Sequence, residues 1–274
     1  MTAWTLHPVP ADGDYLVFGV PYAGTGAASF KAWPRELGTG RFCAVQPPGR
    51  ENRFGEDHVG SHQEFAEGLV AEIADHLDRP YALIGHCGAV PFLLQIAAHL
   101  EKQGLPTPRR LFASGWGAPH QGLYGRLNFV DLDEIDMTAE IEERCTALGY
   151  RLPPEFLEIA AETLLADVRL QRGYRAEALP SRNVPVSVIG WTEDAVVPEA
   201  DVWPGWDECA SATYHVLPGD HWEFLRFPGN CATSSSATCP PRSTSSRKLR
   251  LLPARHHAYE RGRSASRLRR PQRI

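Results

Sequence analysis

Two hydrophobic periods run along this chain, and they separate strands from helices. Tyr15 to Val20, Phe42 to Gln46, Tyr81 to Ile84, Arg110 to Ser114, Asn183 to Trp191 and Ala212 to Leu217 are short apolar runs of strand length. Between them the period changes. Ser61 to Leu77 carries Phe65, Leu69, Ile73 and Leu77 at four-residue spacing, with Val70 alongside. Phe92, Leu93, Ile96, Ala97 and Leu100 repeat a helical spacing in the next segment. Ala28 to Leu37, around Trp33, is also expected to be helical. Strands alternating with amphipathic helices predict a mostly parallel sheet with helices on both faces. The alternation stops between Gln121 and about Glu177, where Val130–Ile135, Thr138–Leu148 and Pro154–Tyr174 predict helices. A helical insertion after a strand often forms a lid over a site. Its alternative is an extra packing layer.

Length and composition add limits. The 274 residues suit one large α/β domain or two small ones, with 43% hydrophobic and 22% charged residues typical of a globular protein. No basic segment followed by an apolar run opens the chain, and no apolar stretch approaches the roughly 20 residues of a membrane span. Six cysteines stand without CxxC or Cys/His metal spacing, which predicts reduced thiols in a cytoplasmic protein and no structural zinc.

The net charge of −5 hides an asymmetry. Residues 229–274 hold 11 Lys/Arg and one acidic residue, Glu260, while residues 1–228 hold 17 basic and 32 acidic residues. The acidic body is not the footprint of a nucleic-acid binder. The basic Ser/Pro/Arg-rich tail is too poor in apolar residues to offset its ordering entropy, and is expected to be disordered. A basic arm for an acidic partner, or a shift of reading frame near Gly229, are the other readings of that tail. The domain expectation is therefore a folded unit over 1–228, with its lid at about 121–177, and the tail over 229–274.

The candidate chemistry centres on Gly85-His86-Cys87-Gly88-Ala89, a sharp turn between a predicted strand and a predicted helix. Strand, tight turn and helix are the setting of a nucleophile elbow, which lifts one side chain above the sheet. The usual pattern is Gly-x-Ser-x-Gly; here it is Gly-x-Cys-x-Ala, and a buried structural cysteine is the plain alternative. In α/β-hydrolase sheets the nucleophile, acid and histidine follow in that order, each on a loop after a strand. Cys87, Asp194 and His221 stand in that order and context. Glu193 is the closest competitor for the acid, Asp201 and Asp207 lie farther along their loop, and His215 is a weaker base because it lies within a strand. A free thiol titrates near 8.5, and a paired histidine favours the reactive thiolate. A carboxylate behind the imidazole fixes its tautomer. The N–H of Gly88 would be one oxyanion donor, and the early loop Pro21-Tyr22-Ala23-Gly24-Thr25-Gly26 would supply another at Ala23. Arg50 and Arg53, in a rigid loop after the second strand, are expected either to meet a phosphate or to pair with carboxylates.

These segments together resemble the type II thioesterases, free-standing α/β-hydrolases that work beside nonribosomal peptide and polyketide synthases. The resemblance rests on Pro21-Tyr22-Ala23-Gly24, Gln46-Pro47-Pro48-Gly49-Arg50-Glu51, Gly85-His86-Cys87, Ser114-Gly115 with Ala118-Pro119-His120, Ala166-Asp167 and Gly219-Asp220-His221. It covers roughly residues 14–228. It implies acyl thioesters on the phosphopantetheine arm of an acyl or peptidyl carrier protein as substrates, no cofactor of the enzyme's own, and a mobile lid. The family's nucleophile is usually Ser followed by Met-Gly-Ala, where this chain has Cys87-Gly88-Ala89-Val90. A Cys nucleophile keeps the acyl group as a thioester, so transfer to an amine or alcohol, or cyclisation, stands beside hydrolysis. Two other readings remain. One is a small-ester or lactone hydrolase of the dienelactone hydrolase type, which also carries Cys at the elbow. The other is a non-catalytic binding partner on a hydrolase scaffold.

Overall fold

The structure, a computed structural model, describes residues 4–175, 184–202 and 204–227. The tail over 229–274, with every expectation attached to it, lies outside the described residues.

Seven strands form one sheet. They are β1 (Leu16–Val20), β2 (Glu36–Leu37), β3 (Gly40–Ala44), β4 (Tyr81–His86), β5 (Arg110–Ser114), β6 (Val186–Trp191) and β7 (Ala212–Leu217). Their spatial order is β2-β3-β1-β4-β5-β6-β7, and every neighbouring pair except β2–β3 is parallel. β1, β4 and β6 are buried along their whole length. Strands covered on both faces need apolar side chains on both, which is why they are continuous apolar runs in the sequence.

Helices α1 (His62–Ile73) and α2 (Val90–Gln103) cover one face. Ser61 caps α1 by accepting the Glu64 N–H at 3.0 Å, and Glu64 returns the favour to the Gly60 N–H at 2.7 Å. Pro91 sits in the first turn of α2, where no N–H is needed. Phe65, Leu69 and Ile73 of α1 and Leu93, Ile96 and Leu100 of α2 bury against Leu16, Phe18, Val20, Leu83, Leu111, Val186 and Val188. Each such Leu or Ile contributes about 1.5–3 kcal/mol on burial. The opposite face is aromatic. Phe30 and Trp33 pack on Phe42 with ring centroids 5.1 Å apart in each case, and the Trp33 indole donates to the Phe224 carbonyl at 3.0 Å.

Here the structure corrects the sequence reading. The helix expected over 28–37 does not form: Ala27–Phe30 is a single 3-10 turn, and β2 follows as an antiparallel hairpin partner of β3. Pro34 supplies no N–H and pushes Trp33 away from helical backbone. The spacing of Phe30 and Trp33 reflects their shared aromatic cluster. An unforeseen bridge joins Thr5 to Val45, with the Leu6 N–H on the Ala44 carbonyl at 3.0 Å and the Gln46 N–H on the Trp4 carbonyl at 2.9 Å.

Between β5 and β6 lie α3 (Met137–Ala147) and α4 (Pro154–Gly173), with their own small core of Met137, Ile141, Cys145, Leu157, Ala161, Leu164 and Val168. The segment before them holds 3-10 turns at Arg126–Asn128 and Leu132–Glu134 in place of the helix expected over 130–135. Among the described residues no helix is long and apolar enough to cross a membrane.

Candidate active site

The parallel strands point their carboxyl ends to one edge of the sheet, and the loops leaving β1, β4, β6 and β7 meet there. Cys87 follows β4 directly, at φ +53. A non-glycine residue rarely holds that backbone, and strain of this kind is tolerated where the surroundings enforce it. The turn leaves Cys87 half-buried in front of α2.

His221 lies in the loop after β7 and is buried. Its Nδ1 is 2.8 Å from Oδ2 of Asp194, in the loop after β6. The other carboxylate oxygen of Asp194 accepts the N–H groups of Val196 at 2.9 Å and Val197 at 2.8 Å, so a local turn fixes the carboxylate's direction. Cys87 lies beside His221, near enough for its sulfur to act on the imidazole. Burial opposes the imidazolium, but the Cys87 sulfur and the hydrogen-bonded Asp194 carboxylate outweigh it and raise the His221 pKa to about 9. Cys87, His221 and Asp194 thus stand side by side in one chain of groups. Glu193 is exposed, and its backbone N–H donates to the Gly219 carbonyl at 2.9 Å. Asp201, Asp207 and His215 are exposed outside this chain, and Asp207 accepts the Tyr214 hydroxyl at 3.0 Å.

The loop after β1 closes the site from the other side. Gly24 holds φ +78, and its N–H donates to Asp167 Oδ2 of α4 at 2.8 Å. Asp167 forms a bidentate pair with Arg50, both bonds at 2.8 Å and both side chains buried. Arg53 pairs with Glu56 at 2.6 Å. Both arginines of the rigid loop are therefore ion-paired. The N–H groups of Ala23 and Gly88 have no acceptor among the described residues. No group of three metal-ligating side chains forms among the described residues.

Residues 16–232 match the thioesterase domain family. The chain belongs to that family. It is 28% identical over 226 residues to the linear gramicidin dehydrogenase LgrE of Brevibacillus parabrevis, covering 80% of this chain and 86% of that one. It is 27% identical to the gramicidin S biosynthesis protein GrsT of Aneurinibacillus migulanus, covering 75% and 81%. Among solved structures, the RedJ thioesterase from the prodiginine biosynthetic pathway of Streptomyces coelicolor superposes with a TM-score of 0.66 at 26% identity, covering 82% of this chain and 89% of RedJ.

Several parts of this thioesterase-family site escaped the sequence reading. His86 is fully buried beside His221, ring centroids 4.2 Å apart, and stacks on Phe224 at 4.7 Å. Burial, aided by the neighbouring His221 charge, holds its pKa well below the ordinary histidine value. Ser114 Oγ accepts the Trp191 indole N–H at 3.0 Å and lies 2.9 Å from His86 Nδ1. Those contacts hold a neutral His86 ring against the imidazole that carries the charge. Asp167 stood in the sequence reading only as part of the family resemblance, with no role, and Gln171 not at all. Their signal was available: two polar residues at i, i+4 interrupt the buried face that Leu164 and Val168 set on α4.

Proposed function

We propose that this chain acts on acyl thioesters carried on the phosphopantetheine arm of an acyl or peptidyl carrier protein in natural-product biosynthesis, through an acyl-Cys87 intermediate. The observation that carries the reading is His221 held on Asp194 at 2.8 Å with the Cys87 sulfur of the β4 turn beside it. Family membership supplies thioester chemistry, and the names of GrsT and RedJ tie two relatives to biosynthetic pathways.

In this reading the Cys87 sulfur, deprotonated by His221, attacks the thioester carbon. The carbonyl oxygen becomes an oxyanion and accepts the N–H groups of Ala23 and Gly88. The bond to the pantetheine sulfur breaks, and that thiol leaves with the proton held on His221. Water, an amine or an alcohol then attacks the acyl-Cys87 carbon, His221 takes the acceptor's proton, and Cys87 departs as the thiol. Asp194 holds the imidazole in register throughout. Because the intermediate is still a thioester, acyl transfer or cyclisation stands beside hydrolysis as its fate.

The test is incubation with acyl-phosphopantetheine thioesters and water, amine or alcohol acceptors, with intact protein and products read by mass. An acyl adduct on Cys87 is expected, absent in Cys87→Ala. Full turnover by Cys87→Ala would remove Cys87 from the mechanism. Turnover of free dienelactone without any turnover of acyl thioesters would move the chain to the lactone hydrolases.

A further inference from the structure

The two oxyanion donors proposed above lie on separate loops, and one stripe of α4 touches both. Leu164, Asp167 and Gln171 are spaced i, i+3, i+7. Leu164 packs on Gly24 so closely that a Cβ there would come within 3.0 Å of its own. Asp167 accepts the Gly24 N–H at 2.8 Å. Gln171 lays its amide against Gly88, where an added Cβ would fall 1.8 Å from Nε2. From the other side Arg144 of α3 donates to the Ala23 carbonyl at 3.1 Å. Arg50, besides its pair with Asp167, donates to the Thr25 carbonyl at 3.0 Å. The peptide between Ala23 and Gly24 is thus held at its carbonyl by α3 and at its N–H by α4.

A peptide unit is planar, so fixing both of those groups fixes its orientation. The Ala23 N–H belongs to the preceding peptide, whose Tyr22 carbonyl accepts the Thr25 hydroxyl at 2.8 Å and the Thr25 N–H at 3.2 Å. Both peptide planes that meet at Ala23 are therefore held, and the direction of its N–H with them. Gly24 has wide backbone freedom and would otherwise let the strip swing. An oxyanion donor is effective only when it is already aimed at the position of the developing charge.

We infer that Asp167, aimed by Arg50, is a positioning residue for the oxyanion hole, so that α3 and α4 help build the catalytic site rather than only cover it. The inference rests on the acyl-Cys87 reading. A buried ion pair that served stability alone would leave the chemistry of a folded variant intact.

Two reactions of Cys87 separate the possibilities. Alkylation by iodoacetamide displaces iodide from carbon and forms no oxyanion. Acylation by a small acyl thioester forms one. The joint variant Arg50→Met with Asp167→Leu removes both buried charges without orphaning either. Its acylation rate should fall about 10²–10³-fold, the cost of losing one oxyanion donor, while its alkylation rate stays at the wild-type value. Arg144→Leu, which breaks no ion pair among the described residues and releases the other end of the same peptide, should show the same selective loss. It keeps the inference testable where the joint variant does not fold. Undiminished acylation in whichever of these variants folds, or equal losses in both reactions, would overturn the inference. A wild-type protein that alkylates at Cys87 but takes no acyl group there would instead defeat the acyl-Cys87 reading, and the inference with it.

Discussion

Each group in the candidate site is aimed by a neighbour with little freedom. Gly115, the residue after β5, lies at φ +57, and an added Cβ would stand 2.7 Å from the His86 ring and 3.4 Å from Asp194 Oδ2. Gly115→Ala should therefore cost about 1–3 kcal/mol of stability through backbone strain, and push His86 or the carboxylate aside. Thermal denaturation and the pH–rate profile would show both effects. His221 offers a second test. Its pKa of about 9 in the folded chain lies above the ordinary value of 6.5. The sign follows directly: its charge contributes stability in full below about pH 6.5, and that contribution is lost as pH rises through about 9. Asp194→Asn removes the carboxylate charge and weakens the hydrogen bond, both of which raise that pKa, so the His221 midpoint should move down. The stability gap between wild type and Asp194→Asn should narrow as pH rises through the same window. NMR titration of the imidazole and denaturation at several pH values read these outcomes; an unmoved midpoint would deny Asp194 its influence on the ring. Asp194 and His221 were visible in the sequence because each follows a strand in the expected order. The distinction between Asp194 and Glu193 was not, since both stand on the same loop. It depends on which side chain the turn at Val196 and Val197 points inward.

At the scale of elements, what could be read in advance follows from how local its cause is. β1, β4, β5 and β6, with α1 and α2, have apolar periods set by the sheet they build or cover, α4 has one set by its own core with α3, and those periods persist in the sequence. β2 is two residues long and is held by its pairing with β3, so no period marks it. Trp33 and Phe30 mimic a helical period while serving an aromatic cluster made with Phe42 and Phe224. The contact between Arg50 and Asp167 spans 117 positions, so the sequence offers both residues but not their pairing. Its energetic signature is predictable nonetheless. Arg50→Met alone strands the Asp167 carboxylate in a buried site and should cost about 3–5 kcal/mol, whereas adding Asp167→Leu should recover most of that loss. Urea unfolding of the two variants measures the difference. If the single and joint variants are equally destabilised, the pair matters through packing and not through its charges.

Across the whole molecule, the chemistry and the net charge divide at different places. Cys87, Asp194, His221 and the N–H groups of Ala23 and Gly88 all stand within the family match over 16–232. The 11 basic residues after position 228 all stand beyond it, while the preceding residues carry 32 acidic groups against 17 basic. A chain ending at Pro228 should therefore turn over small uncharged thioesters as the full chain does, because no group of the proposed mechanism is removed. A carrier-bound acyl group adds an electrostatic encounter to the same chemistry. For an acidic carrier the truncated chain should react more slowly than the full chain at low ionic strength, since the basic segment no longer offsets repulsion by the acidic body. That difference should fade towards and above about 0.15 M salt, where the screening length is about 8 Å. Rates with free and carrier-bound thioesters over a salt series test both statements. Loss of activity on the free thioester would mean that residues beyond Pro228 complete the fold or the site. A deficit on the carrier that ignores salt would mean that the basic segment acts by contact and not by charge.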